Sequence, residues 1–270
     1  MRLQLIALDL DGTLVGEDMH VPPRTRRALQ RAMDQGCCVT IATGRGFPPA
    51  ERFAQELGLN APLICYQGAL IRDHRDGSII FSETVPLDLA RELIVFSQVH
   101  QFNVQAYMEE DRAYVDRVDP LMARMADIAQ VPVTGVGDLA HWLDRPPLKF
   151  LFYVEQREAA PRLVRDLHTQ FNGRLQVVQS WHHLVEVTGP NVSKGAALAK
   201  LAACLGTPRS ATMAIGDQDN DVSMIAWAGL GVAMGDASPG AKAAADVIAP
   251  PVAAEGVAWA IERYVLGGST

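Results

Sequence analysis

The sequence predicts an α/β protein, a parallel-sheet core carried by two chain segments with an α+β domain inserted between them. Three observations predict it. Short apolar runs alternate with helix-spaced segments over the first third of the chain, the alternation breaks in the middle, and it returns from Ser193 onward.

Taken in order, residues 3–10 are almost continuously apolar and end at Asp11-Gly12, which suits a strand buried on both faces and closed by a turn. Residues 24–35 carry helical spacing, with Gly36 as the stop. Residues 37–42 read as a second strand, 48–57 as a helix and 61–66 as a third strand of the same parallel sheet. After Gly68 the texture changes, because 69–72 and 78–82 flank Asp76-Gly77 as the arms of a hairpin. A helix over 87–100 and strands at 103–107 and 113–115 follow, and then a strand at 149–155, a helix at 159–171 and a strand at 174–180. The final segment reads as a helix to about 205, a strand at 211–215, a helix after Asp219 and a strand at 230–233. The core is therefore expected at 1–83 and 185–270, and the inserted domain at 84–184.

A chain of 270 residues is long enough for two domains, each with its own core. With 49% apolar and 20% charged residues it is a folded globular chain, and its net charge of −7 offers nothing to nucleic acid or an anionic membrane. No apolar run reaches bilayer length, and Asp9 and Asp11 interrupt the place where a signal peptide would be apolar. A cytoplasmic monomer is the resulting expectation. Cys37, Cys38, Cys65 and Cys204 lack metal or redox spacing and read as buried thiols.

Four constellations carry chemistry. Asp9-Leu10-Asp11-Gly12-Thr13 puts two carboxylates at the C-terminal end of a strand, where open α/β sheets bind ligands. Gly216-Asp217-Gln218-Asp219-Asn220-Asp221 follows another apolar strand; Asp219 there also suits helix capping. If both strands share a sheet, Asp9 and Asp217 lie side by side. At ~4 Å two such charges repel by roughly 4 kcal/mol at an effective dielectric near 20. A cation must offset that, and an all-oxygen site points to Mg²⁺. Thr43-Gly44-Arg45 follows the second strand and suits a phosphate held by a hydroxyl and backbone N–H groups, with Arg45 either touching substrate or solvated. Lys194 opens a helix, where a cation opposes the helix dipole and so points to another purpose.

In this order the four constellations resemble the haloacid dehalogenase superfamily of phosphohydrolases, and more narrowly its Cof-type branch. The resemblance covers both core segments, and the middle region matches the family's cap only in length, position and texture. It implies a Rossmann-like core with an α+β cap. It implies further that Asp9 is the nucleophile that forms an aspartyl-phosphate and that Asp11 is the acid/base. Mg²⁺ would be bound by the Asp9 carboxylate, the Asp11 main-chain carbonyl and Asp217. Thr43, with the N–H groups of Leu10 and Gly44, would hold the phosphoryl oxygens, and Lys194 would neutralise them. Asn220 matches a phosphate-side or metal-side position, and Asp221 one that orients Lys194 or a metal water.

The implied activity is Mg²⁺-dependent hydrolysis of a small phosphorylated metabolite, such as a sugar phosphate, pyridoxal phosphate or flavin mononucleotide. Phosphomutase-type transfer to a sugar hydroxyl and a non-catalytic phosphometabolite sensor are the alternatives. Outside the four constellations, His182-His183 reads as structural or as a hinge at the return to the core, and Glu109-Glu110-Asp111 as an exposed turn.

Overall fold

The structure, a computed structural model, describes residues 2–154 and 158–267. The chain divides into two compact units, one built from 1–44, 50–80 and 193–270 and the other from 45–49 and 81–192.

In chain order the elements begin with β1 (Leu5–Leu8), α1 (Pro23–Asp34), β2 (Cys38–Ile41), α2 (Phe47–Leu57), β3 (Leu63–Cys65), β4 (Leu70–Arg72) and β5 (Ile79–Ser82). There follow α3 (Leu87–Val99), β6 (Asn103–Met108), β7 (Arg112–Val115), α4 (Pro120–Ala129), β8 (Val133–Gly135), α5 (Leu139–Trp142), β9 (Lys149–Tyr153), α6 (Ala159–Phe171), β10 (Gln176–Trp181) and β11 (Leu184–Thr188). The chain closes with α7 (Lys194–Cys204), β12 (Thr212–Gly216), α8 (Val222–Trp227), β13 (Leu230–Ala233), α9 (Pro239–Ala244), β14 (Val247–Ile248) and α10 (Gly256–Tyr264).

The first unit is organised by a five-stranded parallel sheet in the order β14-β13-β12-β1-β2. Every residue of β1 is fully buried, which is why its sequence is continuously apolar rather than alternating. The chain leaves β1 for β2 on one side and returns through β12 on the other. Between β1 and β12 the strand order reverses, and the crevice beyond those strand ends is where such sheets bind ligands.

The third strand differs from its expected place. β3 is the first strand of a separate sheet, β3-β4-β5, and pairs antiparallel with β4. It is three residues long, and only an isolated parallel bridge, Ala42 to Ile64, continues the core sheet towards it.

The second unit is a six-stranded sheet, β10-β11-β9-β6-β7-β8, antiparallel but for the β7–β8 pair. Strand alternation gives it two unlike faces. Val104, Ala106, Phe150, Phe152, Val185 and Val187 pack with the apolar stripes of α3 and α6, such as Leu93 and Leu163. The opposite set is polar but also buried: Gln105, Tyr107, Lys149, Glu186 and Thr188 are each at most 5% exposed.

Elements α4, β8 and α5 have no counterpart in the sequence reading. Nor does β11, which carries the sheet to Thr188, past residue 184. His182 and His183 therefore sit in the β10–β11 turn inside the second unit, not at a return to the core. His183 Nδ1 lies 3.0 Å from the Val154 carbonyl oxygen and the ring stacks on Tyr153. The strand read over 149–155 ends at Tyr153, and Glu155 lies outside the described residues. Of the four free thiols, Cys37 and Cys65 are buried, whereas Cys38 is half-buried and Cys204 exposed at the end of α7. Among the described residues no helix is long and apolar enough to cross a membrane.

Candidate active site

Asp9 leaves β1 at the height where Leu8 pairs with Ile215, and its N–H donates to the Ile215 carbonyl at 2.9 Å. Asp217 leaves β12 on the next strand. Register alone thus brings two carboxylates of distant sequence to one edge. The turn after Asp9 is tied down by the Leu10 carbonyl, which accepts from Leu14 N–H and Val15 N–H at 3.0 and 2.9 Å. It also requires Gly12, with φ +84°, because a Cβ there would lie 2.5 Å from Asp217 Oδ2.

Lys194 stands at the first position of α7, whose N-cap is Ser193. Its side chain is 1% exposed, and Nζ donates to Asp9 Oδ1 and Asp221 Oδ1, both at 2.6 Å. The cation that opposes the helix dipole is compensated by two carboxylates. Asp221, fully buried, also accepts through Oδ2 from the N–H groups of Asp217 and Gln218, each at 2.9 Å. It therefore caps the loop after β12 while holding the lysine. Asp219 does not cap: its Oδ1 accepts from Ser238 Oγ, and Gln218 is the N-cap of the 3₁₀ turn. Asp217 accepts from Thr13 Oγ1 and Gln218 Nε2, both at 2.7 Å.

Asp9, Asp217 and Asp221 each place a carboxylate oxygen within 4.8 Å of the other two, the only such acidic grouping among the described residues. Burial first, then the charge of Asp221, raises Asp9 well above the usual carboxylate range despite the pull of Lys194. Burial and Asp221 likewise raise Asp217. Burial alone would lower Lys194, but Asp221 and Asp9 more than offset it and hold the ammonium above its ordinary range. The cluster is thus short of positive charge. The donor set fits a hard divalent cation: all ligating atoms are oxygens, Asp9 Oδ2 is not engaged by Lys194, and each Asp217 oxygen keeps a lone pair beyond its one donor. Asp221 is the poorest ligand of the three, because three donors already occupy it.

The remaining predicted residues are placed as follows. Asp11 is half-buried, bridges by its backbone to Val15, and is not one of the three clustered carboxylates. Leu10 is buried beneath the turn. Thr43, 1% exposed, follows β2, and its N–H is taken by the Ile64 carbonyl at 2.9 Å. Gly44 closes that segment of the first unit, whereas Arg45 groups with the second. Asn220 donates through Nδ2 to Gln67 Oε1 at 3.0 Å. Sequence reasoning missed Gln67 altogether and gave Thr13 and Gln218 no role. Both of the latter lie inside motifs already singled out, but nothing in a single sequence marks Gln67.

A five-stranded parallel sheet with buried carboxylates and a lysine gathered at its switch point defines a phosphoryl-transfer class of site. The model of the haloacid dehalogenase-like hydrolases matches residues 6–261. The 5-amino-6-(5-phospho-D-ribitylamino)uracil phosphatase YitU of Bacillus subtilis is 30% identical over 265 residues, covering 96% of this chain and 97% of its own. The pyridoxal phosphate phosphatase YbhA of Escherichia coli is 28% identical, covering 98% of this chain and 100% of its own. A haloacid dehalogenase-like hydrolase from Bacteroides thetaiotaomicron superposes with a TM-score of 0.85 at 27% identity, covering 97% of this chain and 99% of that one. The chain belongs to the haloacid dehalogenase-like hydrolases, in the Cof-type branch, and is a phosphoric monoester hydrolase.

Proposed function

We propose that the chain hydrolyses phosphate monoesters of small metabolites in a Mg²⁺-dependent reaction that passes through an aspartyl-phosphate on Asp9. The observation that carries this reading is the charge imbalance at the sheet edge: three buried carboxylates face one buried lysine.

In the proposed reaction an Asp9 carboxylate oxygen attacks phosphorus and the bond from phosphorus to the leaving oxygen breaks. Lys194 donates to Asp9 Oδ1 and so holds the carboxylate in place for the attack. Asp11 gives its proton to the leaving oxygen, then takes one from the water that attacks the acyl-phosphate. Cleavage of the bond between phosphorus and Asp9 releases inorganic phosphate and restores the Asp9 carboxylate and the protonated Asp11. Lys194, Thr43 and the N–H groups of Leu10 and Gly44 position and neutralise the phosphoryl oxygens. Asp9, Asp217 and the Asp11 main-chain carbonyl would hold Mg²⁺, which when bound supplies the positive charge the cluster lacks. The second unit is proposed as the cap that sets specificity. Substrates are small phosphorylated cofactors and sugar phosphates, a class that includes those named for YitU and YbhA.

The test is phosphate release from a panel of these compounds with and without Mg²⁺, with Asp9→Asn alongside. Metal-dependent release that disappears in the variant is expected. Release that survives in Asp9→Asn removes Asp9 as nucleophile.

A further inference from the structure

The turn after β3 is built against its sequence. Tyr66, Gln67 and Gly68 have φ of 52°, 61° and 101°, and all three are buried. Glycine adopts such values without strain, whereas in an L-residue held there the Cβ crowds the following carbonyl oxygen. Strain of this kind persists where the surroundings over-determine it, and it clusters at functional sites.

Three site loops supply the constraint. Gln67 N–H donates to the Thr43 carbonyl at 3.0 Å, so the turn is tied to the loop after β2. A Cβ on Gly68 would lie 2.4 Å from the carbonyl oxygen of Ser193, the residue before Lys194. Gln67 Oε1 accepts from Asn220 Nδ2 in the loop between Asp217 and Asp221. The other end of that amide, Asn220 Oδ1, is buried, and among the described residues no group donates to it. Buried acceptors without a donor are rare in native structures, where a water, an ion or a ligand supplies the partner. Because Gln67 takes the N–H end, Asn220 must present its carbonyl, an acceptor that cannot serve a phosphate oxygen directly.

We infer that Gln67 is a positioning residue that fixes the Asn220 amide with Oδ1 offered to an O–H donor arriving with the ligand, either cation-bound water or a substrate hydroxyl. The inference rests on the phosphatase reading above and adds a residue to it.

The test uses Gln67→Gly, which suits the backbone angle, in the wild-type and Asn220→Ala backgrounds. Thermal midpoint and kcat/KM are measured for p-nitrophenyl phosphate, which has no hydroxyl, and for ribose 5-phosphate. A positioning role through Asn220 lowers kcat/KM roughly tenfold with little loss of thermal midpoint, and by less than twofold once Asn220 is alanine. Loss on both substrates identifies the water, and loss on the sugar phosphate alone identifies the hydroxyl. The inference is overturned if Gln67→Gly keeps wild-type kcat/KM, or if it costs the same factor in both backgrounds. If the wild type releases no phosphate, the hydrolysis reading fails by itself. The same cycle is then read on the Kd for inorganic phosphate with Mg²⁺ by calorimetry. Additive losses there overturn the role of Gln67, and no binding by the wild type overturns both.

Discussion

The two units each bury a lysine against a glutamate or aspartate, and the two lysines are placed to opposite effect. Lys149, 5% exposed, reaches Glu186 across the polar face of the six-stranded sheet, and its Nζ stands 5.1 Å from the centre of the Tyr107 ring. Tyr107 donates to Gln105 Oε1 at 2.7 Å, and burial, then the charge of Glu186, pushes its phenol upward. Lys194 instead faces Asp9 and Asp221 with Asp217 beside them. A buried pair of opposite charges can be balanced within the fold, whereas a buried surplus needs something from outside. That contrast separates a structural ion pair from a site, and it can be broken in several ways.

The largest expected effect is on turnover. Lys194→Met and Asp9→Asn should each lower phosphate release by ~10³-fold or more, but they should move stability in opposite directions. Asp9→Asn removes a surplus charge and should leave the metal-free protein as stable as the wild type or more so. Lys194→Met strands buried carboxylates and should cost about 3–5 kcal/mol at neutral pH. Chemical denaturation of both variants checks this, and equal destabilisation would mean that the lysine does not offset a surplus.

Next come the double variants. Lys149→Met should also cost about 3–5 kcal/mol, and adding Glu186→Leu should restore part of it, because the Glu186 charge is then no longer left without Lys149. Lys194→Met with Asp221→Leu should restore little. Asp9 and Asp217 remain, and the N–H groups of Asp217 and Gln218 lose their acceptor. Recovery at both sites would erase the distinction between them.

Much of the core half of this contrast was legible in the sequence. Asp9 and Asp217 were legible because each follows an apolar strand, so register decides where they meet, and Lys194 because a cation that opens a helix opposes its dipole. The Lys149–Glu186 pair was not legible. Both residues lie in strands with apolar neighbours on the other face, and only the lateral order β11-β9-β6 sets Glu186 beside Lys149 and Tyr107. β11 escaped notice because its alternation runs into the motif at Ser193. The region 116–148 escaped because its elements are short, and α4 and α5 begin at aspartate caps rather than at long apolar stripes. Gln67 was invisible for a different reason: a left-handed glutamine follows no local preference, and the loops packed on it impose the angle.

A moderate effect is expected from pH. Asp9 and Asp217 have folded-state values raised above the unfolded carboxylate value near 4. Their protonated forms therefore favour the fold below about pH 4, and that contribution disappears as pH rises through the folded values. Mg²⁺ should oppose the loss, so it should raise the thermal midpoint more at pH 8 than at pH 5. A midpoint shift independent of pH would place the cation away from these two carboxylates. The same titration in Lys149→Met should show an unchanged Mg²⁺ effect.

The smallest effect concerns a carboxylate with the opposite shift. In the β4–β5 hairpin, hydrogen bonds from the Arg75 side chain hold Asp73 down to about 2, and Arg75 Nη2 stands 2.5 Å from Asp73 Oδ2. Here the hydrogen bonds from its own cation outweigh the nearby charge of Asp76, so its value falls where those of Asp9 and Asp217 rise. The sign of the stability effect reverses with it. The Asp73 contribution is present above the unfolded value near 4 and is lost as pH falls towards 2. Because the Arg75 side chain is 54% exposed, solvent screens the pair, and Arg75→Ala should cost well under ~1 kcal/mol. Carboxyl chemical shifts followed from pH 5 to pH 1.5 should show Asp73 titrating last among the hairpin acids, and moving back towards 4 in Arg75→Ala. A normal value in the unmodified protein would mean that one-to-one pairing is too weak in this fold to separate a structural carboxylate from a catalytic one.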